Sequence, residues 1–413
     1  MLEHIIVSNV MGHLDRNNIL TDGQHGFRRR RSCETQLLTL SDELLKSLDK
    51  GKQHDLAILD FSKAFDKVPH QRLLTKLHHY GIRGQTLEWI RAFLTDRTQR
   101  VAVDGAISDP APVVSGVPQG SVLGPILFLV YINDLPLTVS SKTRLFADDC
   151  VVYREISSEQ DSEVLQEDLR RLWDWEKLWG MSFNPEKCCI LRVCRKRSPL
   201  LYSYTLKGHT LACEDASKYL GVELTKNMSW KPHIQQVIKK GNSSLGFLRR
   251  NLRIGNEEVK SAAYFSLVRP NLEYCGTVWS PYHKEQIHDL EMVQRRAARY
   301  VTNRYHNTSS VTSMLEHLQW ETLESRRTKA KLTMVYKITN DLVDIPVSKY
   351  LSPGSSRTRA NHSIKFLPLS TSTSYYRHSF FPSIIATWNN LPASIAESPD
   401  LVSFKRGLAT TRF

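Results

Sequence analysis

The sequence has no long apolar run, few cysteines and no acidic excess. Its longest apolar stretch, residues 122–132, is interrupted by Gly124 and Pro125 and is far shorter than the roughly 20 residues that cross a bilayer. We therefore expect no membrane-spanning helix. The seven cysteines lack the spacing of a disulfide framework, and residues 1–15 lack the basic region and apolar core of a secretory signal. Both features predict an intracellular protein, nuclear or cytoplasmic and not secreted.

Basic residues outnumber acidic residues by 56 to 42, which gives a net charge of +14 in 413 residues. Such a charge favours a polyanionic partner, although many basic proteins bind none. Half of the excess lies in residues 231–304, which contain thirteen basic and six acidic residues. We predict that this segment follows a nucleic-acid backbone. The alternative is an ordinary charged helical bundle, with aromatics such as Phe247 and Tyr300 on its apolar face.

Apolar spacing and turn residues predict alternating helices and strands in the first half of the chain. A helix is expected over 35–50, followed by a buried strand over 56–59 that ends at Asp60. Further helices are expected from Pro69 to Gly81, over 86–95, and up to Gly180 after a Ser157/Gln160 capping box. A hairpin or a pair of short strands is expected over 100–114, with a turn at Asp104-Gly105, and a second hairpin is expected over 144–153. The second half is predicted to be helical over 233–252, 256–268, 284–301 and 323–342, and no fold is assigned beyond 352.

Three carboxylates stand at the ends of apolar strands. Asp60 closes the buried strand, and Asp148 and Asp149 separate the two strands of the second expected hairpin. Adjacent acids repel each other unless a cation neutralises them. If both elements belong to one sheet, the three acids can hold two Mg²⁺ ions, one at an attacking hydroxyl and one at a leaving oxygen. Taken alone, the Asp-Asp turn is more often a solvated turn and Asp60 more often a simple strand end.

A glycine-rich turn lies between these acids. Residues 115–121 read Ser-Gly-Val-Pro-Gln-Gly-Ser and precede an apolar, helix-like run. Glycines let a backbone approach a ligand closely, and a helix N-terminus suits an anion. Alone, such a turn is more often a connector. Strand acid, glycine turn and acidic hairpin in this order predict a polymerase palm.

Six motifs occur in order over residues 1 to about 230: Gln-His-Gly-Phe-Arg at 24–28, Leu-Asp-Phe-Ser-Lys-Ala-Phe-Asp at 59–66, Ser-Gly-Val-Pro-Gln-Gly at 115–120, Phe-Ala-Asp-Asp at 146–149, Asn-Pro-Glu-Lys-Cys at 184–188 and Tyr-Leu-Gly at 219–221. Together they resemble the reverse transcriptases of non-LTR (LINE-type) retrotransposons, most closely those of animal genomes. The resemblance implies an α+β, right-hand polymerase fold. Partial fingers and palm would occupy residues 1–225, a basic helical thumb 226–310, and a C-terminal extension without an assigned fold 311–413.

The resemblance also implies roles for residues at the site. Asp60, Asp148 and Asp149 would bind two Mg²⁺ ions, or Mn²⁺ in their place, with the Phe61 carbonyl as a further ligand. Lys187 would protonate the pyrophosphate leaving group, unless it is a solvated surface lysine. Residues expected to contact the nucleotide are Phe65, Gly116, Gln119 and Gly120.

Phe65 would lie beneath the nucleotide sugar, where an aromatic ring leaves no room for a 2′-hydroxyl and selects DNA synthesis. The alternative is that Phe65 is simply a core residue. The expected nucleic-acid contacts comprise an arginine run, a primer-gripping turn and thumb cations: Arg28, Arg29, Arg30, Arg31, Tyr219, Leu220, Gly221, Lys239, Lys240, Arg249 and Arg250. The arginine run lacks the glycine that relatives more often have between arginines, and a solvated face is its alternative.

We therefore expect an RNA-directed DNA polymerase that adds dNTPs to the 3′-hydroxyl of a DNA primer on an RNA template. The alternative is a catalytically silent remnant that only binds nucleic acid. Family members have a fingers segment upstream of the position of Met1 and often an endonuclease domain. The chain is accordingly expected to be a piece with an incomplete triphosphate clamp. The cysteines near residues 188–213 lack the spacing of paired zinc ligands, and no zinc site is predicted.

Overall fold

The computed structural model describes residues 2–253, 255–306, 308–354 and 362–411. The chain divides into two compact units, Met1–Cys33 with Lys52–Leu220 and Glu34–Gly51 with Gly221–Phe413. Residues 34–51, which the sequence places between N-terminal elements, thus belong with the C-terminal half. The domain limits expected near residues 225 and 310 stay predictions.

Helices occur in both units and dominate the second. In chain order they are α1 (Leu2–Arg16), α2 (Cys33–Asp49), α3 (His70–His79), α4 (Gly84–Leu94), α5 (Gly124–Ile132), α6 (Glu159–Trp179), α7 (Lys231–Asn251), α8 (Glu257–Leu267), α9 (Arg269–Glu273), α10 (Gly276–Trp279), α11 (Lys284–Thr302), α12 (Val311–His317), α13 (Leu323–Thr339), α14 (Val347–Tyr350), α15 (Ser374–Arg377), α16 (Phe380–Asn389), α17 (Ala393–Ala396) and α18 (Leu401–Thr410). A 3₁₀ helix, Leu135–Thr138, follows α5.

The strands are β1 (Gln53–Leu59), β2 (Thr98–Gln99), β3 (Ala102–Val103), β4 (Ala106–Ile107), β5 (Ala111–Pro112), β6 (Lys142–Phe146), β7 (Asp149–Ile156), β8 (Cys189–Val193), β9 (Thr205–Leu206), β10 (His209–Thr210), β11 (Ala212–Glu214), β12 (Ala216–Tyr219) and β13 (Val222–Thr225). Five of them form the main sheet of the first unit in the order β11-β8-β1-β7-β6. The α+β fold class is therefore confirmed.

The central strand β1 explains the continuous apolar run around Leu56. It pairs antiparallel with β7 on one side and with β8 on the other. Leu56, Ala57 and Leu59 are at most 2% exposed. A strand with neighbours on both edges and packing on both faces cannot show the alternating pattern of a half-exposed strand. The buried strand predicted at 56–59 is confirmed, and it begins three residues earlier.

Helix α5 lies in the same core. Its sequence, Gly-Pro-Ile-Leu-Phe-Leu-Val-Tyr-Ile, has no charged residue, and all of its residues except Pro125 are buried. Such a helix is apolar all round because protein surrounds it. The helical interpretation of the run after the glycine turn is confirmed.

Several expected boundaries are wrong by a residue or more. Phe146 pairs with Asp149, so the turn of the β6–β7 hairpin is Ala147-Asp148 and not Asp148-Asp149. The helix α6 is capped by Ser158 with Asp161, not by Ser157 with Gln160. The Asp161 carboxylate accepts the N–H groups of both Ser157 and Ser158, each at 3.0 Å, which fixes the later start. In the earlier hairpin, β3 pairs with β4 across the expected Asp-Gly turn, whereas β2 pairs with β5.

The second unit holds the long helices that the sequence predicts, and their positions are confirmed within a few residues. Beyond residue 352, where the sequence analysis assigned no fold, α15 to α18 form a packed helical region. Trp388 is fully buried there, and its Nε1 donates to the Ile364 carbonyl at 2.8 Å. The Asp49 carboxylate at the end of α2 accepts N–H bonds from Ser372 and Thr373. These contacts join segments far apart in sequence, which local patterns do not reveal. Residues 355–361, part of this stretch, lie outside the described residues.

Within the described ranges, the structure contains no helix with the length and apolar character needed to cross a membrane.

A lysine is buried in the first unit beside the core. The side chain of Lys76 on α3 is 4% exposed, and its Nζ donates to Asp134 and to the Tyr131 carbonyl. Nζ also lies 3.7 Å from the centre of the Trp179 ring, a cation–π contact. Burial lowers the pKa of Lys76 from 10.5 to about 8, against the opposing effect of Asp134. The lysine thus links α3 to the turn after α5 and to the end of α6.

We predict that Lys76→Met destabilises the protein by about 3 kcal/mol, because Asp134 loses its cation in a largely buried pair. Urea unfolding measures the effect. Lys177→Met is the matched control, since Lys177 also pairs with an aspartate and lies over a tryptophan ring, but is 55% exposed. It should cost about 0.5 kcal/mol or less. Equal losses would contradict the argument from burial.

A comparison of wild type with Lys76→Met also tests the lowered pKa of Lys76. Because the folded-state pKa of Lys76 lies below its unfolded value, the unfolded chain binds more protons between about pH 8 and pH 10.5. Wild type should therefore gain stability relative to Lys76→Met as the pH rises from 8 to 10.

Candidate active site

The register of the main sheet brings the three carboxylates together. Leu59 is paired with Cys150 on the antiparallel strand β7. Asp60 follows Leu59 and Asp149 precedes Cys150, so the register brings both aspartates to the place where β1 ends and β7 begins. They are close enough for the charge of Asp60 to act on Asp149. Asp148, in the hairpin turn, completes the group.

Burial, followed by neighbouring negative charge, raises the pKa of two of these carboxylates, Asp148 and Asp149. Burial raises the pKa of Asp149 to about 6, and the charges of Asp148 and Asp60 add to the shift. Burial also raises the pKa of Asp148, with a further contribution from Asp60. The site therefore concentrates negative charge, which the surrounding protein neutralises only in part. Such a site favours a bound cation or a proton.

Asp60 is held by the segment around residues 182–188. The Asn184 N–H donates to the Asp60 carbonyl at 2.8 Å, and the Asp60 N–H lies 3.4 Å from Cys188 Sγ. Lys187 Nζ lies 3.8 Å from Asp60 Oδ2, and its side chain is 69% exposed. The lysine expected to act on the leaving group thus lies beside the first carboxylate and open to solvent.

Phe61 anchors the end of β1 in the core. Its ring is buried and stacks on Phe183, with ring centres 4.1 Å apart. The Ser62 N–H donates to the Ser182 carbonyl at 2.7 Å. These contacts fix the backbone from which the Phe61 carbonyl was expected to bind metal.

The glycine turn packs directly against the segment that follows Asp60. Gly116 has φ +91°, and a Cβ placed there would lie 2.8 Å from the Asp66 carbonyl oxygen. Its N–H donates to the Val68 carbonyl, and its carbonyl lies 2.8 Å from His70 Nε2. Only glycine combines this backbone conformation with this approach.

Asp66 also orients Gln119, a residue expected at the nucleotide. Gln119 Nε2 donates to Asp66 Oδ1 at 2.8 Å, and Ser115 Oγ donates to the Asp66 carbonyl at 2.9 Å. Gln119 and Asp66 are both exposed to solvent. The motif 59–66 contained Asp66, but no sequence signal linked it to Gln119, 53 residues away.

Phe65 is half-buried beside this turn. Its ring stacks on Phe128 of α5, with centres 4.3 Å apart and planes 19° from parallel. The Val117 N–H donates to the Phe65 carbonyl at 2.8 Å. The ring therefore has one packed face and an exposed remainder, which fits neither a pure core residue nor a free surface one.

The turn continues into α5 through polar contacts that the sequence did not reveal. Gly120 has φ +82° and open space where a side chain would lie. Ser121 Oγ accepts the N–H of Gly124 at 2.9 Å. Glu3 Oε2 on α1 accepts the N–H groups of Val122 and Leu123 at 2.8 and 3.2 Å. A carboxylate thus caps the entrance to α5.

The arginine run divides into two pairs. Arg28 donates to the Thr21 carbonyl at 3.1 Å, and Arg31 donates to the carbonyls of Asp22 and Gln24 at 2.8 and 2.7 Å. Arg29 and Arg30 are exposed. Two of the four cations expected on a template are therefore engaged with the chain's own backbone.

The remaining expected contacts lie at the end of the first unit and in the second. Tyr219 and Leu220 are buried, and Leu220 and Gly221 have φ of 46° and 81°. Lys239, Lys240, Arg249 and Arg250 are exposed on α7. Tyr300 is buried and donates to the Leu252 carbonyl, so it packs as an apolar-face residue, whereas Phe247 is 53% exposed.

The donor chemistry at the carboxylates suits a hard divalent cation, which prefers oxygen ligands. Among the residues that the structure describes, no set of three or more His, Cys, Asp or Glu side chains has the spacing of a preformed metal site. The carboxylates are coupled by charge rather than arranged as a closed cage.

The family described as reverse transcriptase (RNA-dependent DNA polymerase) matches residues 1–224. Two relatives from Drosophila melanogaster are similar to this chain. A probable RNA-directed DNA polymerase from transposon BS is 28% identical over 88% of this chain and 39% of its own length. An RNA-directed DNA polymerase from the mobile element jockey is 28% identical over 73% of this chain and 34% of its own.

A solved structure, apo telomerase from Candida Tropicalis, aligns with 81% of this chain and 54% of its own at 11% identity and a TM-score of 0.45. The chain spans about two fifths or less of the length of the two curated relatives above. The family match covers more than half of the chain and all six motifs. The resemblance to retrotransposon enzymes is thereby confirmed, and the chain belongs to the reverse transcriptase (RNA-dependent DNA polymerase) family.

Proposed function

We propose that this chain carries the polymerase centre of a retrotransposon reverse transcriptase, which adds dNTPs to the 3′-hydroxyl of a DNA primer on an RNA template. The observation that carries the proposal is the meeting of Asp60, Asp148 and Asp149 where β1 ends and β7 begins, beside a glycine turn. The family names an RNA-dependent DNA polymerase. An intracellular protein, nuclear or cytoplasmic, is part of the proposal and agrees with seven free cysteines.

Divalent metal ions belong to the chemistry of this family. In the proposal Asp60, Asp148 and Asp149 hold two Mg²⁺ ions, or Mn²⁺, together with the Phe61 carbonyl. When bound, the ions supply charge stabilisation for the attacking and leaving oxygens. The raised pKa values of Asp148 and Asp149, which come first from burial and then from neighbouring negative charge, support this assignment, because a bound cation would stabilise these carboxylates in their charged form.

The nucleotide is proposed to lie between the carboxylates and the glycine turn. Gln119 and the backbone at Gly116 and Gly120 would contact it, and the exposed part of the Phe65 ring would support its sugar. Lys187, beside Asp60, would donate a proton to the leaving pyrophosphate. Phosphoryl transfer depends mainly on alignment and charge stabilisation, which these fixed groups provide.

Template and primer are proposed to contact exposed cations. Those of the first unit are Arg29 and Arg30, with Arg28 and Arg31 shaping their segment, and the Tyr219-Leu220-Gly221 turn would hold the primer end. In the second unit Lys239, Lys240, Arg249 and Arg250 lie along α7. A groove of about 710 Å³ follows α11 and is lined by Lys284, Arg295, Arg296 and Arg299 among others. Clustered cations of this kind neutralise phosphates.

The decisive experiment is primer extension by the 413-residue chain on an RNA template with dNTPs and Mg²⁺. We predict that Asp148→Asn, which barely changes volume, abolishes extension. In metal-free buffer its melting temperature should equal or exceed that of wild type, because a repelling charge is removed.

Asp104→Asn is the matched control. Asp104 also lies in the turn of a β hairpin, in a left-handed conformation that asparagine tolerates, and it is exposed. It should extend primers like wild type. Template–primer binding without extension by wild type would contradict the proposal and favour a protein that only binds nucleic acid.

A second prediction concerns the sugar. Phe65→Ala should lower the preference for dNTPs over rNTPs by about tenfold or more, because the ring's bulk is what excludes the 2′-hydroxyl. Single-nucleotide incorporation with each substrate measures the ratio. Phe93→Ala, which removes another half-buried ring stacked on an aromatic neighbour, controls for lost packing of about 3 kcal/mol. An unchanged ratio in Phe65→Ala would make Phe65 a packing residue.

A third prediction concerns α7. Replacing Lys239 and Lys240 by glutamine should weaken binding of a template–primer and reduce the salt dependence of its logarithmic affinity by about two units of slope, because each lysine releases about one counterion. Fluorescence anisotropy over a salt series measures both. The same change at Lys405 and Arg406, two exposed cations on α18, is the control and should leave the slope unchanged. Equal slopes in all three proteins would place the nucleic acid elsewhere.

A further inference from the structure

A short N-terminal segment extends the main sheet beside the catalytic hairpin. The His25 N–H donates to the Leu145 carbonyl, and the Leu145 N–H donates to the Gly23 carbonyl, both at 2.8 Å. Gln24 forms a parallel bridge with Leu145 on β6. The segment therefore lies along the free edge of β6, the strand that leads into the turn at Ala147 and Asp148.

The Gln24 side chain is 1% exposed and is directed at that turn. Its Oε1 accepts the N–H of Ala147 at 2.9 Å and the N–H of Gly26 at 2.7 Å. Its Nε2 donates to the Ala147 carbonyl at 3.4 Å. The amide thus engages both backbone polar groups of Ala147, as a neighbouring strand would.

Ala147 needs such support. It is 6% exposed, so its backbone groups have little water to bond with, and its φ is +54°. A left-handed alanine costs about 1–2 kcal/mol and persists only where surrounding contacts impose it. The positions of Asp148 and Asp149 follow directly from this residue, because they come next in the chain.

Gly26 permits the close approach of the two segments. A Cβ at Gly26 would lie 2.4 Å from the backbone nitrogen of Ala147. Real Cβ atoms do not come so close to backbone, so a side chain here would displace the hairpin. In the Gln-His-Gly sequence at 24–26, the glutamine side chain therefore bonds to the turn, and the glycine leaves the space that the turn occupies.

We propose that Gln24 is a positioning residue, whose amide fixes the Ala147–Asp148 turn and thereby sets the two carboxylates for a divalent cation. Gln24 itself touches neither nucleotide nor nucleic acid in this role. The inference rests on the proposed function, in which the carboxylates bind metal. It assigns to Gln24 a share of the metal affinity that its burial alone does not imply, since residues behind metal ligands commonly contribute tenfold or more.

The experiment measures binding of Mn²⁺ alone to the 413-residue chain by the loss of the free-ion EPR signal, without nucleotide or nucleic acid. Gln24→Met keeps the volume but removes every hydrogen bond of the amide. We expect its Mn²⁺ affinity to fall by about tenfold.

Gln53→Met is the matched control. Gln53 lies in the same sheet, is fully buried, and bonds to Asp55 and to the N–H and carbonyl of Leu200. It begins β1, seven residues and about 23 Å before Asp60. Its loss should lower thermal stability about as much as Gln24→Met while leaving Mn²⁺ affinity unchanged.

Unchanged affinity in Gln24→Met, or an equal fall in Gln53→Met, overturns the inference. If Gln24→Met does not fold, as judged by circular dichroism, the comparison passes to Gln24→Asn, whose amide is one carbon too short for Ala147. Weaker Mn²⁺ binding by Gln24→Asn than by wild type supports the inference, and equal binding overturns it. Wild-type affinity in Asp148→Asn would instead show that the carboxylates do not bind the metal, and the proposed function itself would fail.

Discussion

The pairing of β1 with β7 is the interaction on which the site depends. It sets Leu59 opposite Cys150, and every carboxylate position follows from that register. A slip of one residue would turn each side chain of β1 to the opposite face of the sheet. Leu56 and Ala57 are both fully buried, so a slip would exchange a large and a small side chain between two packed faces, which leaves a cavity on one face and overpacks the other. The hydrophobic core thus fixes the geometry of the polar end of the strand.

The residues around the polar end of β1 hold the geometry of the site at a cost in stability. Two aspartates are held beside each other with raised pKa values, Ala147 is left-handed, and Gly116 gives up a side chain to approach Asp66. Each of these features costs free energy in the metal-free protein. Stable surroundings offset that cost, notably the apolar helix α5, whose residues are all buried except Pro125. Functional sites are commonly the places where local rules of stability are broken.

The sequence was sufficient to predict the buried strand, the long helices and the three carboxylates, because periodicity and motif order are local properties. It misplaced the turn of the β6–β7 hairpin by one residue, since the contact that holds Ala147 comes from Gln24, more than 120 residues earlier. It gave no fold beyond residue 352, where Trp388 and Asp49 make contacts with distant segments. The links from Asp66 to Gln119 and from Glu3 to α5 were invisible for the same reason. Arg28 and Arg31 were expected to contact the template. In the structure both donate to backbone carbonyls, which composition does not indicate.

The central place of β1 in the sheet has a consequence for synthesis of the protein. Its partners on β7 and β8 follow it by about 90 and about 130 residues. A ribosome adds about 5–20 residues per second, so this apolar strand waits for several seconds with both edges unpaired. Contacts of such long sequence separation also form slowly. The nascent chain is therefore most exposed to aggregation before β8 emerges, and a chain that ends before Cys189 keeps that exposed edge permanently.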